Sequence, residues 1–140
     1  MPGLLPRASL LLPLMGLCAA CVDVSGGAVE ARWDLRDPNG VRIDQCAATP
    51  VAALRFVLTP LGGGNDPCAS EPSCRFACDL KTGATHFVIP PGDYAVVLLA
   101  LGASGNALGP PGVVVPEPVT RSVQTGKVPD LSVNLIIVTP

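Results

Sequence analysis

Apolar and polar side chains alternate along much of the chain with a period of two residues. Residues 29–35 follow this pattern strictly, and residues 51–59 and 74–80 repeat it. Residues 94–101 and 131–138 are almost continuously apolar. A period of two indicates a β-strand with one buried face, and a short apolar run such as 94–101 is typical of a central strand covered on both faces. These five segments therefore predict strands, and no segment has a convincing helical period.

Turn-forming residues separate the predicted strands, notably at Asp37–Gly40, Lys81–Ala84 and Pro90–Asp93. The fifteen glycines and sixteen prolines of the chain suit short strands joined by turns better than long helices. Strands at this spacing are typical of an antiparallel β-sandwich. We predict an all-β domain of seven or eight strands, in which the remaining, shorter strands are residues 85–89, 113–115 and 119–125.

The amino-terminal residues have a different pattern from the rest of the chain. Arg7 precedes an apolar run of ten residues, 8–17. A membrane-spanning helix needs about 20 apolar residues, so this run is too short to span a bilayer but has the length of a secretion signal. We predict that residues 1–20 are a signal peptide and that residues 27–140 form one folded domain.

The sequence Ala19-Ala20-Cys21 follows the apolar run and resembles the cleavage site of bacterial lipoprotein precursors. The resemblance implies that Cys21 becomes the first residue, carries acyl chains and contacts a membrane, with residues 21–26 as a lipidated tether. Val22 stands where an inner-membrane retention signal would have Asp, which indicates the outer membrane of a Gram-negative bacterium. The alternative is a signal cleaved without lipidation, which leaves Cys21 as a free thiol.

The four remaining cysteines of the predicted domain form an even set, as a disulfide framework requires. Cys74 and Cys78 are four residues apart on one predicted strand, hence about 13 Å apart. Bridged Cα atoms lie within about 7 Å, so these two cannot pair. Either Cys46 pairs with Cys78 and Cys68 with Cys74, or Cys46 pairs with Cys74 and Cys68 with Cys78. The short span between Cys68 and Cys74 and the inward parity of Cys78 favour the first connectivity.

Residues 85–94, with the sequence THFVIPPGDY, combine an apolar strand, a Pro-Gly turn and a tyrosine that opens the next strand. This pattern resembles prealbumin-like and carboxypeptidase-regulatory-like sandwich domains. The region from residue 27 to residue 138 is similar to small lipoproteins of myxobacterial type that have no assigned activity. The resemblance implies an Ig-like or prealbumin-like β-sandwich and transfers no functional residues. Because two strands must reverse at Gly92, we predict a positive φ there.

The sequence contains no convincing constellation for catalysis or ligand binding. His86 is the only histidine and lies on the predicted solvent face. Loop residues 62–67 offer too few oxygens for calcium, which takes six to eight, and Trp33 and Tyr94 have inward parity rather than forming a sugar platform. The nine basic residues are not clustered, so a nucleic-acid partner is not expected. We predict no catalytic residue, no metal, no cofactor and no enzymatic activity.

Two functions are compatible with this reading of the sequence. The first is a non-catalytic, lipid-anchored envelope protein that binds or spaces another envelope protein or a glycan. The alternative is a carbohydrate- or peptide-binding module whose contact surface is formed by the loops at residues 60–73 and 102–111.

Overall fold

The structure is a computed structural model that describes residues 24–140. The predicted signal peptide and Cys21 lie outside the described residues. Nine strands and three single 3₁₀ turns, at Cys46–Ala48, Pro72–Cys74 and Cys78–Leu80, make up the regular structure of the described part. The strands are β1 (Glu30–Arg36), β2 (Arg42–Ile43), β3 (Ala53–Pro60), β4 (Arg75–Ala77), β5 (Thr82–Ala84), β6 (Gly92–Leu101), β7 (Val113–Val114), β8 (Val119–Val123) and β9 (Asp130–Val138).

The strands form two sheets that enclose one core, so the predicted β-sandwich is confirmed. The first sheet has the order β2-β1-β9-β7, with β5 paired to β1 as well. The second sheet has the order β4-β3-β6-β8. Nine strands are present rather than seven or eight, because the short strands β2 and β5 are added and the predicted strand over residues 85–89 does not form. The sandwich is antiparallel apart from one pair, since β1 and β9 run parallel.

The core between the two sheets is mainly aliphatic and contains few aromatic rings. Trp33 and Tyr94 both point inward, as their parity predicts, and are 3% and 4% exposed. Phe76 lies between two other aromatic rings, with its ring centroid 6.1 Å from that of Trp33 and 5.6 Å from that of Phe56. Close-packed aliphatic side chains fill the remaining space, which is how a chain with 4% aromatic residues builds a buried core.

The two ends of the sandwich differ in which chain segments they carry. At the end called here the lower end, β1, β6 and β9 begin and β3 and β8 finish. The segment before β1 reaches this end, where Gly27 bridges to Ile89. The opposite, upper end carries the turn between β1 and β2 and the loop that follows β6.

The predicted strand over residues 74–80 is wrong in its length. Only Arg75–Ala77 is extended, and a 3₁₀ turn lies on each side of it. The second turn ends at Lys81, which has a left-handed backbone with a φ of 59°. Cys74 and Cys78 keep the apolar alternation in the sequence because both are buried for disulfide pairing. Leu80 continues the alternation in the sequence but is exposed in the structure.

The predicted hairpin between Lys81 and Ile89 is also replaced by a different arrangement. Residues 82–84, expected to turn, form β5 and pair with β1. Residues 85–89, expected to be a strand, instead cross from the first sheet to the second. Thr85 and Ile89 are buried at the two ends of this crossing, and the residues between them, His86 included, are exposed.

The two strongly apolar strands are less covered than their composition predicts. β6 is central in its sheet, but its outward side chains at Ala95, Val97 and Leu99 are only half-buried. In β9 the register shifts next to Ser132, whose φ is 64°. A bulge of this kind reverses the faces of the residues on either side of it. Leu131 is therefore buried, whereas Val133 and Leu135 are about half exposed on the outer face.

The prediction of a positive φ at Gly92 is wrong. Gly92 begins β6 in an extended conformation, and a Cβ there would lie 3.6 Å from the Tyr94 ring, an ordinary contact. The close approach occurs instead at Gly27, where a Cβ would lie 2.5 Å from the carbonyl oxygen of Gln124 and would overlap the Val123 side chain. Gly27 is therefore required by packing rather than by backbone conformation.

We expect Gly27→Ala to lower the free energy of unfolding by about 1–3 kcal/mol, because the added methyl group forces the lower end apart. Gly92→Ala is the matched control and should change it by no more than about 0.5 kcal/mol. Thermal denaturation of both variants measures the difference. Equal melting temperatures for the two variants would contradict the packing argument.

Candidate functional site

Two disulfides join the four cysteines of the domain in the predicted connectivity. Cys46 pairs with Cys78 with a Cα–Cα distance of 6.0 Å, and Cys68 pairs with Cys74 at 5.5 Å. All four cysteines are buried. Because such bonds form and persist in oxidising compartments, the pair of disulfides is typical of an exported protein.

The Cys46–Cys78 bond connects the edges of the two sheets. Cys46 follows β2 of the first sheet, and Cys78 follows β4 of the second. Asp79 accepts a hydrogen bond from the Cys46 amide through its carboxylate, over 3.1 Å. The Trp33 indole Nε1 donates to the carbonyl oxygen of Cys78 over 2.8 Å. The upper part of the sandwich is thus closed by one covalent bond and two buried or half-buried hydrogen bonds.

The Cys68–Cys74 bond closes the loop between β3 and β4. Asp66 orders the start of that loop, because its carboxylate accepts hydrogen bonds from the amides of Leu58 and Cys68 over 3.1 and 2.8 Å. Asp66 is therefore committed to holding the loop against β3.

A cleft with a volume of about 670 Å³ lies at the lower end. Residues 60–65 line one side and residues 90–94 the other. The Tyr94 hydroxyl donates to the carbonyl oxygen of Pro90 over 2.7 Å, so it holds the turn and is not free to bind a ligand. The cleft is bounded by prolines and glycines and lacks a converging set of polar groups.

The loops at residues 60–73 and 102–111 begin at opposite ends of the second sheet. In the β3–β6 register Pro60 lies opposite Tyr94, and Ala53 lies opposite Leu101. The first loop leaves β3 at the lower end, and the second leaves β6 at the upper end. Seven residue steps of strand separate these ends by about 23 Å. The first loop returns toward the second before β4, because the Arg75 guanidinium lies 3.6 Å from the Cβ position of Gly105. The alternative contact surface therefore stays a prediction.

One polar cluster brings together residues that the sequence analysis did not connect. Ser73 accepts a hydrogen bond from the backbone amide of His86 through its hydroxyl, over 3.0 Å, and Glu71 accepts one from the Ser73 amide over 3.0 Å. The backbone hydrogen bond from Ser73, its side-chain hydrogen bond and the nearby His86 together hold the pKa of Glu71 below its ordinary value. The cluster caps a turn, because Glu71 precedes the 3₁₀ turn that begins at Pro72.

The Ser73 hydroxyl is not paired with the His86 imidazole. It accepts a hydrogen bond from the His86 backbone amide, which holds the crossing segment against the turn. Within residues 24–140 no group of three or more His, Cys, Asp or Glu side chains is placed to hold a metal. Within the same range, no helix has the length and apolar character of a membrane span.

We expect the loss of the Cys46–Cys78 bond, in Cys46→Ala/Cys78→Ala, to lower the free energy of unfolding by about 3–4 kcal/mol in the chain-entropy model. The matched variant Cys68→Ala/Cys74→Ala opens a much shorter loop and should cost about 2 kcal/mol. Urea denaturation of the two variants measures both values. A larger loss from the shorter loop would contradict the proposed roles of the two bonds.

Tyr94→Phe should lower the free energy of unfolding by about 1 kcal/mol at neutral pH, because it removes the hydrogen bond to Pro90. Burial raises the pKa of Tyr94 in the folded protein. The unfolded tyrosine therefore ionises first, near pH 10, and its contribution to stability is complete below that pH and is lost as the pH rises through the folded value.

The pH dependence of denaturation separates the loss of the hydrogen bond to Pro90 from the effect of the raised pKa of Tyr94, since Tyr94 is the only tyrosine. Between pH 9 and pH 11 the wild type should lose stability faster than Tyr94→Phe. Parallel curves for the two proteins in that range would contradict the burial argument.

Comparison with known proteins identifies no family for this chain. No protein-family model matches it, and no curated protein matches it. Among solved structures it is similar to GBS52, the minor pilin in the Gram-positive pathogen Streptococcus agalactiae, at 15% identity and a TM-score of 0.46. The match covers 83% of this chain and 47% of the pilin chain, so this chain spans about half the length of that protein. A similarity at this level transfers no binding residue or activity.

Proposed function

We propose that this chain is an exported, non-catalytic envelope protein that an acylated Cys21 holds on a membrane surface. The folded domain then acts as a rigid binding or structural module for another envelope component, a protein or a glycan. The myxobacterial-type lipoprotein resemblance and an outer-membrane location belong to the same proposal.

The observation that carries the proposal is that the disulfide framework of the domain is complete without Cys21. Two buried disulfides pair the four cysteines of the domain, Cys46 with Cys78 and Cys68 with Cys74. Cys21 therefore has no structural partner to find among them. Its place directly after Ala19 and Ala20 supports a role as the acylated residue.

The start of the folded domain supports a short tether. The Gly126 amide donates to the carbonyl oxygen of Gly26 over 3.0 Å, and the Gly27 amide donates to that of Ile89 over 2.9 Å. Chain from Gly26 onward is thus fixed to the fold. Five residue steps separate Cys21 from Gly26, and they span about 17 Å when fully extended.

The surface of the domain supports a non-catalytic role. The Tyr94 hydroxyl in the lower-end cleft is used to hold a turn, and the polar cluster at Ser73 caps another turn. The tightly held strands and the two disulfides suit a module that keeps its shape while it binds or spaces a partner. A rigid surface loses little conformational entropy on binding, so modest contacts can suffice.

We expect metabolic labelling with a radioactive fatty acid to mark the wild-type chain and not Cys21→Ala, expressed in a Gram-negative host that processes lipoproteins. Acylation by two or more chains gives stable anchoring, so only the wild type should sediment with membranes. Cys18→Ala is the matched control and should retain the label. Label in Cys21→Ala, or none in the wild type, would refute the anchoring.

A further inference from the structure

The lower end of the sandwich concentrates apolar side chains that the fold leaves exposed. Of the eleven large hydrophobic residues exposed in the described part of the chain, five lie at this end. They are 38% to 56% exposed, and we call them the lower apolar cluster: Val24, Leu61, Phe87, Val88 and Val128. Exposed apolar residues gathered at one place mark an interaction site more often than scattered ones do.

Backbone hydrogen bonds hold the segments of this cluster in place. Leu61 donates its amide to the carbonyl oxygen of Asp93 over 2.9 Å, which fixes the loop after β3 to the start of β6. Val88 donates to His86 over 2.8 Å, and the buried Ile89 next to it pairs with Gly27. The backbone at Leu61 and Val88 is therefore held at the lower end.

Val128 is fixed by the pairing of the turn before β9 with the segment before β1. Ala28 donates its amide to the carbonyl oxygen of Lys127 over 3.0 Å, and Glu30 donates to that of Pro129 over 3.3 Å. Val128 lies between these two contacts and is 39% exposed. Its neighbour Lys127 is exposed and can extend its apolar stem beside Val128 while the ammonium group stays in water.

The length of the tether determines what this end faces. Five residue steps separate Cys21 from Gly26, the first residue that the fold holds, and they span about 17 Å of extended chain. An acylated Cys21 lies at the membrane surface, so the lower end can move no more than that distance from it. An interfacial apolar surface inserts about 5–10 Å into the headgroup and acyl boundary, which is within this reach.

We propose that the lower apolar cluster is a second membrane contact, which lies against the lipid surface and fixes the domain upright on its anchor. The inference rests on the proposed acylation of Cys21. The partner that the cluster contacts is the lipid bilayer itself. The charged groups exposed around this end include one lysine, Lys127, and three carboxylates, those of Glu30, Asp93 and Asp130. The contact is therefore apolar in character and does not depend on attraction to an anionic surface.

Tryptophan fluorescence in vesicles tests this contact on the full acylated chain. Leu61→Trp places a probe in the cluster, and Val41→Trp is the matched control, since Val41 is 62% exposed in the turn at the upper end. The native Trp33 is buried and gives a constant background. The vesicles contain phosphatidylethanolamine and phosphatidylglycerol, with or without a phosphatidylcholine brominated on its acyl chains.

We expect brominated lipid to quench the Leu61→Trp emission by about twofold, as insertion to 5–10 Å would produce, and to leave Val41→Trp unchanged. Phe87→Trp repeats the measurement at a second position if Leu61→Trp melts below the wild type. Equal emission with and without bromine at both cluster positions overturns the membrane contact. Equal quenching of the cluster probes and Val41→Trp overturns it as well, because the domain then has no preferred orientation.

Sedimentation of the same samples separates this inference from the proposed function. A chain that carries fatty acid and sediments with the vesicles, but whose cluster probes are not quenched, retains the anchoring and loses the membrane contact. A chain that carries no fatty acid and stays in the supernatant refutes the anchoring, and the membrane contact fails with it.

Discussion

The hydrogen bond from the Trp33 indole to the carbonyl oxygen of Cys78 lies where the two sheets are joined covalently. Trp33 belongs to β1, at the centre of the first sheet, and Cys78 follows β4 at the edge of the second. With the disulfide to Cys46, Cys78 makes two connections between the sheets. A buried indole N–H without a partner costs about 1–3 kcal/mol, so the position of Cys78 and the placement of the largest core ring depend on each other.

Much of the architecture follows from side-chain periodicity, because one buried face per strand imposes a period of two. The limits of this rule are visible at Cys74 and Cys78. Their alternation with Phe76 comes from disulfide burial within turns, and not from a continuous strand. The connectivity predicted from their separation is nevertheless present, because the short loop from Cys68 to Cys74 closes on itself. The short loop was sufficient to determine this pairing, even though the predicted strand over residues 74–80 is longer than the observed strand β4.

Features that depend on tertiary contacts could not be read from the sequence. The bulge at Ser132 turns Val133 and Leu135 outward, and nothing in the local pattern marks it. The lower apolar cluster draws on four segments separated by tens of residues, which only the topology brings to one end. The cluster of Glu71, Ser73 and His86 depends likewise on the crossing between the sheets. The predicted anchor residue lies outside the described range and stays a prediction.

The parallel pairing of β1 with β9 gives the domain a direction for bearing mechanical load. β1 starts at the lower end, whereas β9 finishes at the upper end, and five consecutive residue pairs join them beyond the bulge. A pull on Gly27 at the lower end, opposed by a pull on Val138 at the upper end, acts along both strands in opposite directions. The inter-strand hydrogen bonds are then strained together in shear, instead of opening one after another like a zipper. A domain built this way resists extension along its long axis better than peeling from either sheet edge.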